Sequence, residues 1–176
     1  MNDLTQLSFT DVCVQLRTQR LPRWGELPDL ELYMDQVLGL VGRYLGAYPG
    51  FDKKGLTASM VNNYVKLGAL PPPQKKRYAR AHLARQLMIC LLKPSLPIAA
   101  IRDLLDAAPA QTDEAAFYDG FCALFEEAGD ATAATCERAD AGTETAILRA
   151  ALRAQAEQAL ALKLCTALSD GNAPEA

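Results

Sequence analysis

Four polar side chains share one face of a short predicted helix, and their chemistry suits contact with the edges of nucleic-acid bases. They are Ser59, Asn62, Asn63 and Lys66, in a helix predicted from Ala58 to Leu67. Asparagine can form two hydrogen bonds with adenine, serine reaches bases or phosphates, and lysine contacts phosphate or guanine. Taken alone, the two asparagines would be ordinary solvent-exposed residues, so the interpretation depends on what lies beside them.

Groups suited to phosphate flank this helix on both sides. Thr57 precedes it as a predicted N-cap, and the backbone N–H groups of the first turn could hold a phosphate. After the helix, Pro71–Pro73 favour an extended path, and Gln74–Tyr78 has the pattern of a short strand or loop. Four basic residues in and after this loop suit the sugar-phosphate backbone. They are Lys75, Lys76, Arg77 and Arg80.

The charges of the 176-residue chain are sorted along its length. Residues 43–102 contain eleven basic residues and one acidic residue, a net charge of +10, whereas residues 1–42 carry −3 and residues 103–176 carry −10. A basic segment of this kind is typical of a polyanion-binding module, and nucleic acid is the commonest polyanion. The alternative is a solvated helix face, but such a face normally mixes the two signs. The sequence therefore predicts double-stranded DNA as a partner.

Helical periodicity dominates the chain, and almost no strand pattern is present, so an all-α protein is predicted. Trp24 lies in a proline- and glycine-rich break after the first helix and is expected to anchor that arm to the body. Gly68 is expected to end its helix in a left-handed conformation. The predicted helices run from Ser8 to Arg20, from Asp29 to Leu45, from Ala58 to Leu67, from Arg80 to Leu92, from Pro97 to Leu105, from Thr112 to Phe125 and from Thr143 to Leu168.

Several functional classes lack support in the sequence. The five cysteines are odd in number and widely spaced, and with one histidine, His82, they form no zinc pattern, so reduced and mostly buried cysteines are expected. The chain has no phosphate loop or nucleophile motif, which predicts a protein that is not an enzyme and has no cofactor or metal. Without a signal-peptide pattern or an apolar run of about 18 residues, it is expected to be cytoplasmic and not to contact a membrane.

The stretch Val61–Pro72 resembles the winged helix-turn-helix of MerR-type regulators. Tyr64, Gly68 and Leu70 match the end of that family's recognition helix. Tyr78 is similar to its wing tyrosine. The segment from Trp24 to about Ile101 also resembles a widespread bacterial family of uncharacterised proteins with such a fold. The chain departs from the MerR pattern at Asn62, where arginine is usual, at Pro71–Pro73, where the wing usually has glycine, and at His82, where an acid is usual.

The resemblance implies a MerR-like winged helix-turn-helix with additional N- and C-terminal helices. We therefore expect an N-terminal helical arm over residues 1–23, the winged helix-turn-helix domain over 24–108, and an acidic, alanine-rich helical region over 109–176. The expected function is transcriptional regulation by a homodimer, with no effector, operator or direction of regulation indicated. An alternative remains open, in which a non-catalytic module uses its basic surface to bind an acidic protein or its own acidic tail.

Overall fold

The computed structural model describes residues 9–48, 51, 54–107, 113–137 and 143–171. Within these residues the chain forms seven α-helices and one 3-10 turn, Trp24–Glu26, and no strand longer than an isolated bridge, so the all-α prediction is confirmed. The helices are Phe9–Thr18 (α1), Met34–Leu45 (α2), Ala58–Lys66 (α3), Arg80–Leu92 (α4), Ile98–Ala107 (α5), Glu114–Glu137 (α6) and Thr143–Ser169 (α7). The predicted caps Ser8 and Thr112 and the predicted boundary at 108–109 lie outside the described residues.

Helix α4 lies at the centre of the molecule. Its buried residues are distributed around the helix instead of along one stripe: Leu83, Ala84, Gln86, Leu87, Met88 and Ile89. A helix that is apolar on most sides is stable only when other elements cover it. Here α2, α5 and α6 pack against α4, and α3 packs against α2. Helix α3, which has the polar face, is too short to form a core of its own. It is held in place through α2 by the core around α4.

The segment before α2 is extended, so the prediction that this helix begins near Asp29 is wrong. Helix α2 begins at Met34, and Leu32 forms an antiparallel bridge with Tyr78. Two backbone hydrogen bonds of 2.8 Å join Leu32 and Tyr78, and both side chains are buried. This pairing uses backbone groups that a helix would otherwise use, which explains why the apolar periodicity did not produce one.

The arm that carries α1 is attached to α6. The Trp24 backbone N–H donates to Asp119 Oδ1 at 2.7 Å, and its ring meets that of Tyr118 edge-on, with 6.2 Å between centroids. Arg23 pairs with Glu126 at 2.7 Å. The prediction that Trp24 anchors the arm is therefore confirmed, and the anchor site is on α6.

Helix α1 crosses α6 at Gly129, where a side chain would not fit. A Cβ atom at Gly129 would overlap the backbone carbonyl oxygen of Leu16, whereas a Cβ at Gly39 in α2 would meet nothing within 4 Å. We expect Gly129→Ala to lower the free energy of unfolding by about 1–3 kcal/mol, because one helix must move away from the other. The matched variant Gly39→Ala should raise it by about 0.5–1 kcal/mol through the better helix propensity of alanine.

Urea unfolding followed by circular dichroism measures both variants. If Gly129→Ala were as stabilising as Gly39→Ala, the close approach of α1 to α6 would be wrong.

Helix α7 contacts the body mainly through its C-terminal half. Ala161 and Cys165 pack against the core, α7 as a whole contacts α5, and Gln158 donates to the carbonyl oxygen of Ser95 at 2.9 Å. In the N-terminal half, almost every described side chain is exposed, including large apolar ones. Even so, none of the helices among the described residues has the length and apolar character that a membrane span requires.

None of the four cysteines whose side chains are described forms a disulfide with another of them, and each is buried or partly buried, as predicted. They are Cys13, Cys90, Cys122 and Cys165. The side chain of Cys136 lies outside the described residues.

Candidate nucleic-acid interface

Helix α3 presents its predicted recognition face to solvent. Ser59, Asn62, Asn63 and Lys66 are all exposed, while Val61 and Tyr64 on the opposite side are buried. Thr57 is the N-cap, and its hydroxyl accepts a hydrogen bond from the Met60 N–H at 3.3 Å. The structure therefore brings four of the predicted residues together on one open surface. Two apolar side chains, Met60 and Leu67, are also exposed, at the edge of this face.

Tyr64 fixes α3 to the core from behind. Its side chain is only 1% exposed, and burial raises the pKa of Tyr64 to about 12 because the phenolate would be poorly solvated. Burial likewise raises the pKa of Cys90 to about 11, and this thiol interacts electrostatically with Tyr64. Both groups are therefore neutral at physiological pH, which is consistent with packing roles.

A left-handed glycine ends α3. Gly68 has φ +73°, its N–H donates to Val65 O at 3.0 Å, and the Ala69 N–H donates to Tyr64 O at 2.9 Å. These two bonds are those of a Schellman motif, and the predicted C′ glycine is confirmed. Arg85 then holds the departing chain: its Nε donates to Ala69 O at 2.6 Å, and another nitrogen donates to Leu105 O at 3.2 Å. Arg85 also pairs with Asp106, so this member of the basic segment has a structural role.

The basic loop after the prolines is a tight turn with two lysines at its tip. The Arg77 N–H donates to Gln74 O at 2.8 Å, and Lys75 and Lys76 have φ values of +48° and +63°. Two consecutive positive φ values within such a turn indicate type I′, the turn that suits a two-residue β-hairpin. No wing strands extend from it within the described residues, where the bridges Gln74–Arg77 and Leu32–Tyr78 stand alone.

The turn places Lys75 and Lys76 in solvent. Both are exposed, as is Lys66 on α3, and no ion pair joins any of the three to another described residue. These ammonium groups therefore remain available for an anionic partner.

Arg77 and Arg80, by contrast, already have partners within the chain. Arg77 donates to the Tyr33 hydroxyl at 2.8 Å, its guanidinium carbon lies 4.6 Å from the centroid of the Tyr33 ring, and Glu31 is 3.9 Å away. Arg80 pairs with Asp29 at 3.3 Å. The segment Asp29–Tyr33 thus supplies two carboxylates and an aromatic ring to the basic turn.

Sequence reasoning did not assign Asp29, Glu31 or Tyr33 to the site. The two acids belong to the N-terminal segment of net charge −3, and nothing local marks them as neighbours of the basic turn. Their contacts depend on the bridge between Leu32 and Tyr78, which joins positions 46 residues apart.

The two lysines at the turn have positive φ values, a left-handed backbone conformation that residues other than glycine and asparagine rarely adopt. We expect Lys75→Asn with Lys76→Gly to raise the free energy of unfolding by about 1 kcal/mol, because Asn-Gly is the preferred type I′ pair. The control, Lys75→Ala with Lys76→Ala, removes the same charges but keeps the strain, so it should bring no such gain. Thermal or urea unfolding compares them. Equal stability for both double variants would contradict the type I′ assignment.

Comparison with known proteins identifies the chain at the level of its family. Residues 22–121, which include the whole of this surface, match the family model described as a domain of unknown function (DUF1836). No curated protein and no solved structure matches the chain. None of these comparisons gives a MerR-like assignment. The expected membership of a family of uncharacterised proteins is confirmed, since a match over residues 22–121 covers more than half of the sequence: the chain belongs to the DUF1836 family.

Proposed function

We propose that the protein is a sequence-specific DNA-binding transcriptional regulator that uses α3 and the lysine turn as a MerR-like winged helix-turn-helix. The observation that carries the proposal is the exposed polar face of α3 together with three exposed lysines, one on α3 and two at the turn, that lack ion pairs to described residues. A helix in the major groove reads bases through such a face, and a basic turn beside it contacts phosphate. In this proposal Asn62 and Asn63 read bases, Ser59 and Lys66 assist them, and Thr57 with the helix N-terminus holds a phosphate.

The wing in this proposal is reduced to its tip. Lys75 and Lys76 make the phosphate contacts. The turn that presents them is closed by the Gln74–Arg77 bridge, and the next residue, Tyr78, pairs with Leu32 from the segment before α2. The connection between the two helices of the proposed helix-turn-helix is also long, because α2 ends at Leu45 and α3 begins only at Ala58. Neither element alone is typical of the family. The proposal is therefore supported by the fact that the polar face of α3 and the lysines of the turn are both exposed.

A homodimer is part of the proposal. Two copies related by a two-fold axis could place their α3 helices in successive major grooves, about 34 Å apart. The target would then consist of two half-sites with matching symmetry.

A second candidate function is binding of an acidic protein segment. The contacts of Arg77 with Glu31 and of Arg80 with Asp29 favour it, because they show that carboxylates fit beside the turn. The acidic residues in the C-terminal part of the same chain are a less well supported partner for this surface. Two of them, Asp106 and Glu126, pair with arginines away from the three exposed lysines.

Titration of a labelled random duplex with the full chain separates the two candidates. At 50 mM salt we expect binding that falls steeply by 200 mM, since each neutralised phosphate contributes about −0.9 to the slope of log affinity against log salt. Poly-glutamate provides the matched acidic competitor and should displace the duplex poorly. Absence of duplex binding at 50 mM salt would end the DNA proposal, and equal competition by poly-glutamate would favour the acidic protein partner.

A further inference from the structure

Helix α7 leaves a set of large apolar side chains in water. Ile147, Leu148 and Leu152 are 62%, 63% and 67% exposed, and Leu160 and Leu164 are also exposed. Apolar residues at this density along one helix are unusual for a free surface, and they mark an interaction site when they are contiguous. Leu148 and Leu152 are one turn apart, the spacing with which a helix places two anchors in a groove.

An apolar groove of about 820 Å³ lies between α6 and the adjoining ends of α4 and α5. Its walls include Leu91, Leu104, Phe117, Phe121 and Leu124. On the α6 side, Ala116, Gly120 and Ala123 also line it, and these small residues let another helix axis come close. The residues that line it include one charged group, Glu127, and one hydroxyl, that of Tyr48.

The occupant that fits this groove best is a helix. A small-molecule site normally adds several convergent polar groups to its apolar walls, and this groove offers two. The chain's own α7 does not fill it, because Leu148 and Leu152 of the same molecule are exposed. The α7 helix of a second copy is an apolar helix that could fill the groove. With a two-fold axis, the α7 helix of each copy would dock in the groove of the other.

Charge supports the same occupant. Arg149 follows Leu148 directly, and neither Arg149 nor Glu127 forms an ion pair with another described residue. An α7 helix placed in the groove by its two leucines brings a free cation to a surface whose one charged lining residue is a free anion. A simple α7–α7 coiled coil is less well supported, since the positions that continue the Leu148–Leu152 seam are Gln155, Ala159, Leu162 and Thr166.

We infer that the N-terminal half of α7 docks in the α4–α5–α6 groove of a second copy, reciprocally, with Arg149 against Glu127 of the partner subunit. The inference rests on the homodimer part of the proposed function and not on DNA binding. Reciprocal docking would bury both apolar surfaces on each copy, and a stable interface of this kind needs roughly 800 Å² per partner. Self-association is then a property of the groove, measurable without DNA.

Sedimentation equilibrium of the full chain without DNA provides the test. Wild-type protein should be a dimer at micromolar concentration, and Leu148→Ala with Leu152→Ala should raise the dimer Kd by at least about 100-fold, because four leucines leave the two grooves. Leu164→Ala is the matched control: Leu164 is exposed on the same helix but lies roughly 140° round from that pair at about 100° per residue. It should leave the dimer Kd unchanged, and circular dichroism should be the same for all three proteins.

Charge reversal identifies the docking partner of Arg149. The single variants Arg149→Glu and Glu127→Arg should each raise the dimer Kd at least about tenfold, since each creates two like-charged pairs. An equimolar mixture of the two should dimerise like wild type, because the mixed dimer has oppositely charged pairs at both grooves.

A monomer mass at every concentration would overturn both the homodimer and this inference. If such a monomer also bound an apolar dye and Leu124→Glu abolished the binding, the groove would be a small-molecule site. A dimer that is insensitive to the leucine pair, or variants that fail to restore each other, would overturn groove docking alone. In that case the homodimer and DNA binding would stand.

Discussion

Replacement of Lys75 and Lys76 by alanine is expected to weaken binding to every duplex by a similar factor, roughly 60-fold at 0.1 M salt. Each lysine that neutralises a phosphate contributes about 0.9 to the slope of log affinity against log salt, so the double variant should lower that slope by about 1.8. The factor should not depend on sequence, because phosphate groups are the same in every duplex. Fluorescence anisotropy with duplexes of unrelated sequence measures both the factor and the slope.

Structural side effects can be separated from this result. Both lysines are exposed, and alanine keeps the same positive φ values, so unfolding curves should be almost unchanged. Lys163→Ala on α7 is the charge control: it removes an exposed ammonium group that belongs to neither α3 nor the turn, and it should leave the slope as it was. If Lys163→Ala lowered the slope by as much as each lysine of the turn does, binding would depend on net charge alone, and the turn would have no special role.

Asn63→Ala is expected to act on sequence preference instead. The loss should be about 1–3 kcal/mol on the preferred site, because a base-edge hydrogen-bonded pair disappears while the charge stays constant. Random DNA should bind almost as before. A preferred site obtained by selection from a random duplex pool, and the same site with single base pairs exchanged, provide the measurement.

The comparison of Asn63→Ala with Asn62→Ala tests the orientation of the face. Both side chains are exposed, so neither substitution should change the circular dichroism spectrum. If Asn63→Ala weakened all duplexes equally, Asn63 would be a phosphate contact and the face would be rotated. No loss on any duplex, from either asparagine variant or from the lysine pair, would exclude α3 and the turn from a DNA interface and favour the acidic-partner function.

The helices that could be predicted from the sequence are those set by local signals. Arg80–Leu92 is the predicted helix and also the observed one, because its residues have helical periodicity and Pro94 follows soon after its end. Gly68 was predictable for a similar reason, since a left-handed position next to the end of a helical pattern strongly favours glycine. The polar face of α3 followed from the same periodicity.

Non-local pairing decided what could not be predicted. Asp29 looks like an N-cap followed by apolar residues at helical spacing, but the partner of Leu32 is Tyr78, and nothing near Leu32 announces that bridge. The same bridge gives Arg77 and Arg80 acidic partners, so a count of basic residues overstated the number of free cations. The exposure of Leu148 and Leu152 could not be predicted either. Apolar residues at helical spacing predict a buried face, but they do not show whether the same chain or a second copy covers it.

The carboxylates beside the turn have a consequence for how binding would respond to ionic strength. Asp29 and Glu31 are exposed and lie 3.3 Å from Arg80 and 3.9 Å from Arg77, so a DNA phosphate would have to compete with these carboxylates for the two arginines. An arginine that is already paired with a carboxylate brings less net positive charge to the phosphates, so it would release fewer of the cations condensed on the DNA. Added salt also screens the internal pairs and the external ones alike. In the proposed complex with DNA, Arg77 and Arg80 would therefore add little to the salt dependence of binding, which would come mainly from the exposed lysines.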